Sequence, residues 1–186
     1  MVKTFSDKYK TNNITIYPGE IYVSNKNELI TTVLGSCISI CLYDNINGIS
    51  GLNHYMLPEQ SNKNIKCTID KTKMTTLRYG EIANVELLKQ MIRLGANKNY
   101  IKAKIYGGAS VLSKMTNVPT IGKRNILCAE SFLKENNIPV ISEDTGSSCG
   151  RKISFFTNSN EVLLKKINSD ISDESGRSIK FNSFIL

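Results

Sequence analysis

Tryptophan is absent from this sequence, histidine occurs once, and only four prolines interrupt its 186 residues. Each scarcity excludes something. A lone histidine, His54, rules out a histidine-rich metal centre, and any imidazole chemistry must use that one residue. No CxxC pair stands beside it, so a zinc site, or any other metal site, is not expected. No apolar run approaches the ~20 residues that cross a bilayer, so membrane insertion is not expected. The first residues, Met1 to Asn13, lack the apolar core of a signal peptide, which points to the cytoplasm. Neither repeats nor low-complexity linkers occur, and a single domain follows.

What is present is ordinary for a globular protein: 40% hydrophobic and 22% charged residues, at a length that supports one sizeable core. The formal charge is +8. The lysines are nevertheless scattered among Asn, Ile and acids, with no aromatic interleaving, so a nucleic-acid face is not expected. A solvated basic surface or an acidic protein partner fits better. The five cysteines (Cys37, Cys41, Cys67, Cys128, Cys149) are an odd count, which in a reducing compartment argues against a disulfide framework. Each is either inert packing or a reactive thiol.

Residues 20–24 and 28–33 are β-branched runs around a turn at 25–27. Cys37 to Tyr43 alternates, with Ile38, Ile40 and Leu42 on one face and Cys37, Ser39, Cys41 and Tyr43 on the other. A second strand spans residues 49–57 and stops at Pro58. The polar, lysine-rich stretch 60–75 reads as a surface loop. Helical spacing covers residues 79–94, with Ile82, Val85, Leu88, Met91 and Ile92 on the expected inner stripe and Gly95 as terminator. A strand at 102–106 ends in Gly107-Gly108, a helix covers 124–135, and strands follow at 140–142, 152–157 and 161–167. The predicted class is α/β: a layered α/β sandwich with a mixed, largely antiparallel sheet and helices packed on its faces. The domain is expected over 14–168, with 1–13 and 169–186 as peripheral tails, although 179–185 has the pattern of an edge strand.

Pairing the strands at 37–43 and 49–57 as a hairpin tests whether a thiol meets the imidazole. A two-residue loop at Asn45-Ile46 puts Cys37 directly opposite His54. A four-residue loop over 45–48 puts them on a diagonal, with Cβ atoms up to ~7–8 Å apart. A turn at Asn47-Gly48 instead puts Cys41 opposite His54. Register alone leaves both cysteines open. Their flanks favour Cys37, which follows Gly35 and Ser36 at a strand's beginning, where backbone amides are available to an oxyanion. Cys41 lies mid-strand among bulky neighbours.

The run Leu34-Gly35-Ser36-Cys37-Ile38-Ser39-Ile40-Cys41-Leu42-Tyr43-Asp44 resembles the signature of the CheD family, as does Gly51-Leu52-Asn53-His54-Tyr55-Met56-Leu57-Pro58. The likeness continues through Arg78-Tyr79-Gly80, Lys104-Ile105-Tyr106-Gly107-Gly108-Ala109, Ile121-Gly122-Lys123-Arg124-Asn125, Glu143-Asp144-Thr145-Gly146 and Gly150-Arg151-Lys152, in order over about residues 18 to 167. The resemblance implies deamidation of glutamines on methyl-accepting chemotaxis receptors to glutamates. It also implies binding of a CheC-type phosphatase, a contact for which a non-catalytic member could be retained. It places the nucleophile at Cys37, the base at His54 and an imidazole-orienting threonine at Thr31. Thr32 is adjacent, and strand alternation sends the two to opposite faces, so only one can serve. Ser36, Gly107, Gly108 and Ser110 are expected to hold the oxyanion or shape the substrate site. Arg124 and Asn125 are expected to cap a helix or meet the receptor, and Arg151 to pair with Asp144. A thiol activated by an imidazole suits a poor carboxamide electrophile, and no cofactor is expected.

Overall fold

The computed structural model describes residues 1–59, 76–110 and 119–167, together with the backbone of 183–185. The expected loop at 60–75 lies outside the described residues.

Among the described residues, two sheets and two helices form three layers. Strands β1 (Val2–Ser6), β2 (Thr11–Thr15), β3 (Glu20–Ser24), β4 (Glu28–Leu34), β5 (Ile38–Asp44) and β6 (Ile49–His54) come first. They are followed by α1 (Gly80–Arg93), a 3₁₀ turn (Lys98–Tyr100), β7 (Ile101–Gly107) and α2 (Ile121–Glu135). Strands β8 (Val140–Thr145), β9 (Gly150–Phe156), β10 (Val162–Ile167) and β11 (Ser183–Ile185) complete the chain. One sheet has the order β1-β2-β4-β9-β10-β11 and the other β3-β6-β5-β7-β8. Pairing is antiparallel except for β2 with β4 and β7 with β8. The expected α/β sandwich is therefore found, with two mixed sheets where the sequence suggested one and both helices on a single face.

Strand alternation divides the apolar residues between two cores. Ile38, Ile40 and Leu42 of β5 point to the helices and meet Leu87, Met91, Ile126 and Leu133. Cys41 and Tyr43 point the other way, into a second core with Ile14, Ile30, Leu34, Ile153 and Phe155 of the facing sheet. Buried Glu28 links the sheets, accepting hydrogen bonds from Tyr22 and Ser24 of β3.

Three expectations need correction. Residues 1–13 do not form a peripheral tail, because β1 pairs with β2 and β2 pairs in parallel with β4. The inner stripe of α1 is rotated: Ala83, Asn84, Leu87, Leu88 and Met91 are buried, while Val85 and Ile92 are exposed. The cause is polar, since Asn53 of β6 donates to the Asn84 carboxamide at 2.8 Å and turns that face inward. Helix α2 starts three residues before the expected position 124, capped by Thr120, whose hydroxyl accepts from the Lys123 amide. Other expectations match: Gly95 ends α1 with φ +110°, and β11 is an edge strand on β10.

Candidate active site

The site forms where the β5–β6 ladder ends. The hairpin has the four-residue loop, with Asp44 opposite Ile49 and Cys41 opposite Leu52. Its last backbone pair is Ile38 with Tyr55, joined by bonds of 3.1 and 3.0 Å. Continuing that register puts Ser39 opposite His54 and Cys37 opposite Met56. Cys37 and His54 thus share one face on a diagonal, at the ~7–8 Å spacing typical of such neighbours. Past Tyr55 the strands part, because the amides of Met56 and Leu57 turn to the Arg78 carbonyl. Cys37 sits in the mouth of this split.

Cys41 is also diagonal to His54, so register does not separate the two thiols. Burial does. Cys41 is wholly buried between the sheets, and desolvation drives its thiol far above the usual range. Cys37 is only partly buried. Its thiol is also raised by burial, a shift opposed by its own backbone amide.

His54 is buried, and desolvation lowers it from 6.5 to about 4 against the raising influence of Glu20. It is neutral at pH 7, and its tautomer follows from hydrogen-bond bookkeeping. Nδ1 lies 2.8 Å from the Thr32 hydroxyl. That hydroxyl donates its single proton to the Ile16 carbonyl at 2.8 Å. Towards the imidazole it can only accept, so Nδ1 carries the proton and Nε2 holds the lone pair. Nε2 is buried with no partner among the described residues.

The threonine on the imidazole is Thr32, and Thr31 is not. The Thr31 hydroxyl donates to the Asn13 carboxamide at 2.7 Å, beside a 380 Å³ hollow lined by Lys8, Tyr9, Lys152 and Lys165. Strand alternation allowed one threonine only, and the packing of β4 turns Ile30, Thr32 and Leu34 towards the second sheet.

Of the remaining expected residues, Gly107 and Gly108 lie against Cys37. Gly107, at φ +116°, lies so close that a Cβ there would stand 2.1 Å from the Cys37 carbonyl oxygen. The Gly108 amide donates to that carbonyl at 2.7 Å, and the Ala109 amide donates to Gly35 at 2.8 Å. Gly108 is thereby committed to the resting backbone and not to an oxyanion. Ser36 is exposed, and the Ser110 hydroxyl is buried with no partner among the described residues. Arg151, fully buried, pairs with Asp144 at 2.7 Å as expected and also donates to the carbonyls of Gly107 and Gly146 at 2.8 and 2.9 Å. It locks the glycine turn behind the cysteine.

A family model described as CheD chemotactic sensory transduction matches residues 56–166, more than half of the chain. The chain belongs to the CheD family. Among curated CheD proteins, probable chemoreceptor glutamine deamidase CheD 2 of Chromobacterium violaceum is 37% identical over 95% of this chain and 82% of its own. Probable chemoreceptor glutamine deamidase CheD 1 of Dechloromonas aromatica is 39% identical over 88% and 77%. Cys37 and His54 precede the span of the CheD family model, but both fall within the 177 residues aligned with the C. violaceum protein. A solved structure, Bacillus licheniformis hypothetical protein YfiH, covers 69% of this chain and 51% of its own at 14% identity and a TM-score of 0.42, too slight a likeness to carry an argument.

Asn125 has a different place from the helix cap or receptor contact expected of it. Asn125 neither caps α2 nor reaches outward. It lies on the buried stripe Gly122, Asn125, Ile126, Ala129 and Leu133, and a polar residue on an apolar stripe was the available signal. Arg124 makes an exposed ion pair with Glu59.

Proposed function

We propose that this chain is a chemoreceptor glutamine deamidase, converting glutamine side chains of methyl-accepting chemotaxis receptors to glutamate, with Cys37 as nucleophile, His54 as base and Thr32 as the orienting group. The supporting observation is a partly exposed thiol at a split strand end beside a buried histidine whose Nε2 lone pair is open. Both groups are neutral at rest, so the thiol gives its proton to Nε2 as sulfur attacks the carboxamide carbon. The proton on Nδ1 stays bonded to the ring and hydrogen-bonded to the Thr32 oxygen throughout, and that acceptor stabilises part of the imidazolium charge. The imidazolium then protonates the departing nitrogen, and ammonia leaves a cysteinyl thioester. Water, deprotonated by Nε2, attacks that thioester and releases glutamate and the thiol. Atoms balance as amide plus water giving acid plus ammonia.

Among the described residues no helix is long and apolar enough to cross a membrane. The four described cysteines are thiols, which suits a reducing cytoplasm. A CheC-type phosphatase is the second partner this reading includes. The deciding experiment incubates the chain with a cytoplasmic receptor fragment and follows glutamine-to-glutamate conversion by mass. Wild type should convert, Cys37→Ala and His54→Ala should not, and Cys41→Ala should. Conversion by Cys37→Ala would sink the mechanism.

A further inference from the structure

We infer that Asn125 is a positioning residue that sets the width of the split between the nucleophile strand and the base strand. Beyond Ile38 and Tyr55 no backbone bond joins the two strands directly, since Met56 and Leu57 have turned to Arg78. The Asn125 carboxamide spans the gap. Its Nδ2 donates to the Ser36 carbonyl at 2.9 Å and to the Met56 carbonyl at 2.8 Å, so both amide protons are used. One acceptor immediately precedes Cys37, and the other lies two residues after His54. The carboxamide cannot be reversed, because its oxygen would then face two carbonyl oxygens. Oδ1 is buried with no partner among the described residues, so the side chain keeps this pose for its two donor bonds alone.

The helix that carries it is anchored to the same strand end. Tyr55, adjacent to His54 and pointing to the opposite face, donates from its hydroxyl to the Asn125 backbone carbonyl at 2.7 Å. The next strand end is fixed as well, because a Cβ on Gly122 would stand 2.4 Å from the Gly108 carbonyl oxygen. The carboxamide therefore sits on an anchored helix and bridges the place where β5 and β6 part. In its absence, the Ser36 and Met56 carbonyls lose their shared partner, each strand end keeps only its separate bonds to Gly108, Ala109 or Arg78, and the Cys37–His54 separation is set less tightly. Proton transfer and attack depend steeply on such a separation.

This inference rests on the Cys37–His54 reading, and its test keeps the two apart. Asn125→Ala and Asn125→Asp remove both donors, and the ionised Asp would face two carbonyl oxygens. Thr120→Ala weakens the cap of the same helix without touching the carboxamide. Each variant is assayed for kcat and KM on the receptor fragment, for Cys37 alkylation by iodoacetamide against pH, and for melting temperature. We expect both Asn125 variants to lose about ten-fold or more in kcat with KM within about two-fold, and to show a shifted alkylation profile. Asn125→Asp should recover part of its kcat below neutral pH, as its carboxyl takes up a proton and regains one donor. Thr120→Ala should melt earlier with kcat and alkylation unchanged. Folded Asn125 variants with wild-type kcat and alkylation overturn the inference while leaving the nucleophile intact. Failure of both to fold also overturns it, making Asn125 a purely structural group. Activity in Cys37→Ala would instead overturn the reading beneath it.

Discussion

Thr32→Val is the sharpest perturbation of this site. It keeps the shape of the side chain and removes one hydroxyl, which accepts from Nδ1 of His54 and donates to Ile16. Two outcomes are open to the imidazole. It can keep its Nδ1 proton without an acceptor, or it can move the proton to Nε2 and cease to be a base. An unpaired buried polar group costs about 1–3 kcal/mol, and the deficit grows as the ring becomes an imidazolium. That corresponds to a fall of about 5- to 150-fold in kcat/KM. Thr32→Ser keeps the hydroxyl and should recover most of the loss. The informative partner is Thr31→Val, which removes only the bond to Asn13 on the far side of the strand and should stay within about two-fold of wild type. The assay is glutamine-to-glutamate conversion in a receptor fragment, with melting curves to confirm folding. A crippled Thr31→Val beside a normal Thr32→Val would refute the assignment and with it the tautomer argument.

Other consequences concern pH and packing. Burial holds His54 at about 4, so the acid limb of kcat/KM should fall near pH 4, and a limb near 6.5 would mean a solvated imidazole. The same depression links to stability. The unfolded chain takes up a proton near 6.5 and the folded one near 4, so stability is full above 6.5 and is lost as pH falls between those values. At about 1.4 kcal/mol per pH unit, the loss is about 3 kcal/mol. Denaturant midpoints should show this slope, and His54→Gln should flatten it. Gly107→Ala drives a Cβ into the Cys37 carbonyl at a left-handed φ and should cost more than about 3 kcal/mol or prevent folding. Gly35→Ala, with nothing within 4 Å of its Cβ, should stay within about 0.5 kcal/mol by thermal melting. Arg151→Met removes the buried guanidinium that bonds Asp144 and the carbonyls of Gly107 and Gly146, leaving Asp144 paired with Lys166, and should cost about 1–3 kcal/mol in a urea titration.

The sequence by itself determined the elements whose patterns have one reading. The alternation from Cys37 to Tyr43, the glycine after α1 and the hairpin of β9 and β10 each appear where the residues placed them. A single histidine also left His54 without rivals. Tertiary structure decided wherever two readings were equally apolar. β4 carries apolar residues on both faces, Ile30 and Leu34 on one and Leu29 and Val33 on the other, so pattern could not say whether Thr31 or Thr32 faces the imidazole. In α1, the expected stripe included Val85 and Ile92 and omitted Leu87, and the buried face is the one that carries the Asn53–Asn84 bond. Cys37 and Cys41 lie on one face at equal diagonals from His54, and only the splitting of β5 from β6 opens one thiol while the second sheet seals the other. Local sequence sets which faces exist. Which face meets which partner is set by packing between elements distant in the chain, and that is what placed Thr32 and Asn125 at this site.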